Sequence, residues 1–353
     1  SSDVCSSDLA NGFAAMIDIP GLNYRTQRYK ESYDQLPQNL ILGSETASTV
    51  SSRGVYKFPV EDKKSAKYED HQCSSYDVEA CSWSNIPDED FALADDNHWT
   101  IGQFVWTGFD YLGEPSPYDT DAWPNHSSMF GIIDLASLPK DRYYLYRSVW
   151  NKDAETLHIL PHWTWPGREG EVTPVFVYTN YPTAELFING KSYGKQSKNN
   201  SSLKNRYRLM WMDAVYEPGE VKVVAYNKDG KAVAEKVVRT AGKPHHIELV
   251  SNRNELTADG KDLAYVTVKV VDKDGNLCPT DNRQINFSAK GAGKYRAAAN
   301  GDPTNLEQFH LPKMHAFNGM LTAIIQAGET AGEIVFTAKA NGVKAGNIRI
   351  QTK

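Results

Sequence analysis

The hydrophobic pattern of this chain changes period near residue 155. Before that point, short apolar runs end in polar or acidic residues, and stretches with helical spacing separate them. Leu40-Ile41-Leu42 leads into Gly43-Ser44-Glu45-Thr46-Ala47-Ser48, and Gln103-Phe104-Val105-Trp106 leads into Thr107-Gly108-Phe109-Asp110-Tyr111. An earlier run from Met16 to Leu22 ends in Asn23-Tyr24-Arg25. Between Arg25 and Leu36, Tyr29, Tyr33 and Leu36 recur at helical spacing with charges between them, which predicts an amphipathic helix that Pro37 closes. Apolar strands with polar tips, joined by helices, predict a βαβ unit whose parallel strands are covered on both faces. Phe91 to Trp99 predicts a helix leading into the last of these strands. Lys140 to Trp150 predicts another, burying its tyrosines and Leu145.

Beyond residue 155 the period becomes two. Val175 to Thr179, Ala184 to Ile188 and Val221 to Tyr226 alternate apolar and polar positions, with turns at Asn189-Gly190, Glu217-Pro218-Gly219 and Lys228-Asp229-Gly230. A second set includes Tyr265 to Val271 and Gly332 to Ala338. Short strands with turn signals every ten residues or so predict antiparallel β-sandwiches. Gly242-Lys243-Pro244 separates two such units, 155–242 and 244–353. The expected class is therefore multidomain, α/β followed by all-β.

The strand ends carry the candidate chemistry. Trp106, Phe109, Asp110, Tyr111 and Glu114 set aromatic faces beside carboxylates, closed by Gly113 and Pro115. That combination suits a sugar, whose C–H face stacks on a ring while its hydroxyls need acceptors. The same residues could instead plug a loop against the core. Glu45 lies at a strand's C-terminal end, where parallel barrels gather their chemistry. The alternative for it is a structural ion pair.

Tyr24, Ser44-Glu45-Thr46-Ala47 and Gly102-Gln103-Phe104-Val105-Trp106-Thr107-Gly108-Phe109-Asp110-Tyr111 resemble the last three barrel strands of glycoside hydrolase family 2. The similarity continues through Ser127 to Leu135 and Pro139 to Tyr144, so that it spans residues 10 to 150. The resemblance implies the C-terminal part of a (β/α)8 TIM barrel over 10–152, strands six to eight, followed by two immunoglobulin-like sandwiches. The second of these also resembles invasin-type bacterial repeats. The subgroup implied is the β-galactosidase-type enzymes of gut bacteria, acting on terminal β-D-galactosides of an oligosaccharide or glycan without a cofactor. Such enzymes are retaining and need two carboxyl groups about 5–5.5 Å apart. The resemblance makes Glu45 the nucleophile, Tyr24 its hydrogen-bond donor and Trp106 an apolar wall under the sugar, with Asn23 and Asp110 as further sugar contacts. It also implies a bacterial periplasmic or secreted parent, with homo-oligomerisation open. A β-glucuronidase of the same family, or a non-catalytic carbohydrate-binding or adhesin-like protein, are the other readings.

In the family, the acid/base glutamate follows an asparagine on the fourth barrel strand. Only about two dozen residues precede Tyr24, and the sole Asn-Glu pair, Asn254-Glu255, falls in a turn-rich stretch far downstream, so it is a decoy. The expectation is a truncated chain without barrel strands one to five. Residues 1–9, Ser-Ser-Asp-Val-Cys-Ser-Ser-Asp-Leu, resemble translated cloning sequence, or else form a short N-terminal arm, and are set aside.

Composition changes little. The chain of 353 residues has 40% hydrophobic and 23% charged positions and a net charge of −6, which gives no basic footprint for nucleic acid. No apolar run approaches the ~20 residues of a membrane span. Cys73 and Cys81 could pair, Cys278 looks alone, and the histidines have no metal-ligand spacing. Asp272-Lys273-Asp274-Gly275-Asn276 begins like a calcium loop, but its strand-like flanks predict a hairpin turn. The long excursion from Ser51 to Thr100 is expected to supply rim contacts such as Tyr76. Trp163 and Trp165, bracketed by prolines, are expected to wedge against a neighbouring domain near Trp150, with carbohydrate binding as the alternative.

Overall fold

The computed structural model describes residues 6–353 except 120 and 121. Cys5 and the first half of the 1–9 leader lie outside the described residues. The remainder of that leader enters a single helical turn, α1 (Ser6–Ala10).

The N-terminal unit holds a parallel sheet of three strands, β1 (Gly21–Asn23), β2 (Ile41–Thr46) and β5 (Thr100–Val105), in the order β1-β2-β5. Helix α2 (Tyr29–Gln35) connects the first two strands, burying Tyr29, while Tyr33 stacks on Trp99 at 4.5 Å. The apolar Met16–Ile19 run is not a strand. Pro20 cannot donate to a ladder, so pairing begins one residue later and Met16 is 84% exposed. Between β2 and β5 lie two short strands, β3 (Lys63–Lys64) and β4 (Glu79–Ala80), and α3 (Pro87–Asp96), whose start is fixed by Pro87. Helix α4 (Asp141–Trp150) follows, burying Leu145 and Tyr146. The sequence predicted strands covered on both faces, yet β5 is an outer strand with Ile101 50% and Phe104 65% exposed. Among the described residues no element pairs with its outer edge.

The first sandwich pairs the sheet β10-β7-β6 with β12-β11-β8-β9. Its strands are β6 (Leu157–Leu160), β7 (Val175–Thr179), β8 (Thr183–Ile188), β9 (Lys191–Ser197), β10 (Leu209–Trp211), β11 (Glu220–Tyr226) and β12 (Ala232–Arg239), with α5 (Leu203–Tyr207) before β10. In β11 the period of two sends Val221, Val223 and Ala225 inward. Trp163 is a core residue of this sandwich, 1% exposed. Trp165 is the wedge, but its partners are Tyr56 and Phe58 of the N-terminal unit. Trp150 packs instead on Tyr146 and Phe91.

The second sandwich has β13 (His246–Ser251), β14 (Glu255–Leu256), β15 (Leu263–Val271), β16 (Gln284–Gly291), β17 (Gly293–Ala299), β18 (Lys313–His315), β19 (Met320–Ala327), β20 (Gly332–Lys339) and β21 (Gly346–Thr352). Its sheets run β13-β15-β19-β17 and β14-β21-β20-β16-β18. His246 opens β13 directly after the Gly242–Pro244 break. The Asp272 turn is closed by its own carboxylate, which accepts backbone N–H bonds from Asp274 and Asn276.

Buried polar bonds join the three units. Tyr76, expected at the rim, is fully buried and donates to the Pro174 carbonyl at 2.6 Å. Arg208 forms a forked pair with Asp88 in the same interface. Arg53 reaches the second sandwich. Its Nε meets Asp134 Oδ2 at 2.5 Å, and its Nη2 donates to the Asn300 and Phe317 carbonyls at 2.8 and 3.1 Å. Gly301 faces the same carboxylate so closely that a Cβ would lie 2.0 Å from Asp134 Oδ2. Cys73 and Cys81 are free, buried thiols and do not pair. Cys73 Sγ instead sits 3.4 Å from Met129 Sδ.

Two outcomes follow from these buried charges. Removing one partner of a buried pair leaves an uncompensated charge and costs about 3–5 kcal/mol. Arg53→Ala should accordingly lower the unfolding midpoint and expose the 242–245 linker to limited proteolysis. Unchanged proteolysis would show that the contact does not hold the domains. Asp90 is buried, with Asn85 its one side-chain hydrogen-bond partner among the described residues, at 2.6 Å, and burial pushes its carboxyl up to about 7. The folded form thus binds its proton before the unfolded form does, and this group stabilises the fold increasingly as pH falls from about 7 toward 4. Asp90→Asn should be more stable than the parent at pH 7.5, with the gap closing by pH 5. A gap independent of pH would rule this out.

Candidate active site

The C-terminal ends of β1, β2 and β5 converge because the strands are parallel and adjacent. Glu45 is the penultimate residue of β2 and is half-buried. Tyr24 follows β1 directly. Its backbone N–H donates to the Glu45 carbonyl at 2.9 Å, and its hydroxyl donates to Glu45 Oε2 at 2.8 Å. Tyr24 has a φ of 55°, a left-handed conformation uncommon for a side chain of this size. Burial raises the Tyr24 hydroxyl pKa far above its ordinary value, and the neighbouring Glu45 adds to the shift. The phenol therefore stays protonated and acts as a donor. Asn23 sits beside this pair and accepts from Ser44 Oγ at 2.7 Å.

Trp106 follows β5, tied to β2 by its N–H bond to the Thr46 carbonyl at 2.9 Å. The Trp106–Thr107 peptide is cis. The indole is half-buried, with the Tyr111 ring edge-on at 6.1 Å. Tyr111 donates to Glu114, an exposed carboxylate. Glu45, Tyr24, Asn23 and Trp106 thus occupy the ends of neighbouring strands.

Asp110 does not join them as a sugar contact. Its carboxylate is buried against Lys140 Nζ at 2.6 Å and accepts from Gly131 N–H at 2.8 Å. Burial pushes the carboxyl up to about 6, against the pull of Lys140, and lowers Lys140 in turn. Gly131 has no room for a side chain here, since a Cβ would lie 2.2 Å from the Asp110 nitrogen. Asp110 and Lys140 lie thirty residues apart, and sequence spacing gives no sign that the fold neutralises one with the other. Glu255 sits on β14 in the second sandwich, paired with Lys353, in keeping with its expected role as a decoy.

Residues 247–349 match the family described as glycoside hydrolase family 2 C-terminal domain 5, and residues 170–234 match a domain of unknown function, DUF4982. The β-galactosidase BoGH2A of Bacteroides ovatus is 39% identical over 349 residues, covering 96% of this chain and 40% of the relative. A putative β-glucuronidase of Formosa agariphila is 36% identical over 211 residues, covering 59% of this chain and 20% of the relative. Among solved structures, a β-glycosidase from Bacteroides vulgatus superposes with a TM-score of 0.83 at 26% identity, covering 98% of this chain and 49% of that one. A glycosyl hydrolase family 2 member from Bacteroides cellulosilyticus gives 0.80 at 27%, covering 100% and 44%. The chain thus spans less than half the length of each of these proteins. With matches that run through all three of its units, the chain belongs to glycoside hydrolase family 2.

Proposed function

We propose that this chain carries the nucleophile side of a retaining β-galactosidase, with Glu45 as the attacking carboxylate. The observation that carries the reading is the 2.8 Å bond from a protonated Tyr24 hydroxyl to Glu45 Oε2 at the end of a parallel strand. That bond holds the carboxylate by one oxygen at the strand end, in position for the group to attack an anomeric carbon. In this reading β1, β2 and β5 are strands six to eight of a (β/α)8 barrel. The exposed Ile101 and Phe104 on β5 are then surface that further strands would cover. Trp106 offers the apolar face on which the sugar rests, and Asn23 lies within the same group of strand ends.

Glu45 attack expels the aglycone oxygen, which leaves readily only if a second carboxyl group protonates it. That assistance contributes about 10²–10⁴-fold. With Asp110 committed to Lys140, no described carboxylate beside Glu45 is placed to supply the proton except through Glu114, which is already bonded to Tyr111. The chain alone should therefore be a very poor catalyst. Galactoside is favoured over glucuronide because a relative 39% identical along nearly the whole chain is named a β-galactosidase.

The test uses an enzyme that carries this chain together with a complete barrel. A 2,4-dinitrophenyl 2-deoxy-2-fluoro-β-galactoside needs little acid assistance and should leave a stable adduct on the peptide containing Glu45, read by mass spectrometry. Glu45→Gln should abolish the adduct and turnover while retaining sugar binding. Tyr24→Phe should slow turnover less, since it removes a donor and not the nucleophile. Near-normal turnover in Glu45→Gln would overturn the assignment. Faster cleavage of the p-nitrophenyl β-glucuronide than of the β-galactoside would overturn the choice of sugar.

A further inference from the structure

Two carboxylates near the strand ends have no cation to balance them. Asp110, Asp134 and Asp88 are paired with Lys140, Arg53 and Arg208, whereas among the described residues neither Glu45 nor Glu114 has an ion-pair partner. A short run of contacts connects these two. The carbonyl of Thr46, next to Glu45, accepts from Trp106 N–H at 2.9 Å. The Trp106 ring meets the Tyr111 ring edge-on at 6.1 Å, and the Tyr111 hydroxyl donates to Glu114. Burial raises the Tyr24 and Tyr111 hydroxyls above their ordinary pKa, and Glu45 and Glu114 each raise both of them further. The same two phenols thus feel both carboxylates.

The backbone fixes Glu114 in this place. It has a φ of 45°, a left-handed conformation, directly after Gly113 at 93°. Gly113 N–H donates to the His126 carbonyl at 2.7 Å, and His126 N–H donates to the Pro303 carbonyl of the second sandwich at 3.2 Å. On the other side of Glu114, the Tyr118 hydroxyl donates to the Gln72 carbonyl at 2.7 Å, and Gln72 Nε2 donates to Asp302 Oδ1 at 3.0 Å. The Glu114 side chain itself is exposed and keeps acceptor capacity beyond its bond to Tyr111.

We propose that Glu114 is a specificity-determining residue of this site, accepting hydroxyls of a neutral sugar and disfavouring a sugar that carries a carboxylate. The inference rests on the reading of Glu45 as nucleophile given above. An ionised carboxylate can only accept hydrogen bonds. A sugar hydroxyl can donate to it, whereas a uronate carboxylate offers no proton and brings a third negative charge to a site that holds two. Tyr111 gives its one proton to Glu114 and so offers none to a uronate. Repulsion between like charges rejects a partner without any direct contact, so Glu114 need not touch C6 of the sugar to act. The preference for galactoside over glucuronide then has a cause in this chain's own residues.

The experiment uses an enzyme that carries this chain together with a complete barrel. It compares p-nitrophenyl β-D-galactoside with p-nitrophenyl β-D-galacturonide, which differ only at C6. Glu114→Gln, which keeps the size of the side chain and removes its charge, should narrow the kcat/KM ratio of neutral to acidic substrate by about tenfold. The narrowing should come from a gain on the acidic substrate. Glu114→Ala, a second change at this exposed position, should narrow the ratio likewise, and Glu114→Asp, which keeps the charge, should retain the parent's ratio. A ratio unchanged in both neutral variants, whether the two rates hold or fall together, overturns the role of Glu114 and leaves Glu45 standing. Equal narrowing by Glu114→Asp would make shape the cause and overturn it too. Turnover that survives Glu45→Gln overturns the reading of the site and this inference with it.

Discussion

Burial of charge between the loops that follow β2 and β5 is the constraint on which this structure depends. Lys140 bonds Asp110, Arg53 bonds Asp134, and Arg142 donates to Ser51 and to the Gly131 carbonyl. All of these groups are withdrawn from water, so each charge demands a partner and each partner comes from a different loop. Lys140 also donates to the Ser51 carbonyl, which ties α4 to the segment just after Glu45. The position of Glu45 relative to Trp106 is thus set by a charged layer beneath the strand ends as well as by the sheet itself. Apolar packing alone would permit small sliding of these loops, whereas paired charges in a low dielectric hold a single register.

Much of the architecture was legible in the sequence because period and punctuation are local. The alternation in Glu220–Tyr226 and Leu263–Val271 places its apolar side inward, as the period of two requires. The strand-end placement of Glu45 and the neighbouring positions of Tyr24 and Trp106 were also legible, through the motif they share. The failures are of another kind. Asp110 and Tyr76 were read as site or rim groups and Trp163 as a wedge between domains, and each is buried by residues distant in sequence: Lys140, Pro174 and the first sandwich core. Nothing in the local pattern distinguishes an aromatic that faces a sugar from one that fills an interface. The exposed apolar side chains of β5 show the converse, since a strand sequence suited to burial says nothing of whether a neighbour is present.

The cysteines make the same point. Cys73 and Cys81 lie at a spacing that would permit a bridge, yet both are free, buried thiols, and burial raises both pKa values. They behave as small apolar side chains within the cluster that also holds Met129 and Phe130.

The contacts of Arg53, Gln72 and His126 with residues 300–317 bear on how such proteins diversify. A tail domain joined by a free linker can be exchanged between relatives as a cassette. Here the second sandwich is keyed to its neighbour through an arginine, a glycine with no room for a methyl group and a backbone bond. Inherited variation in that domain is therefore coupled to variation in the loops above the sheet, and the two are expected to change in concert along a lineage.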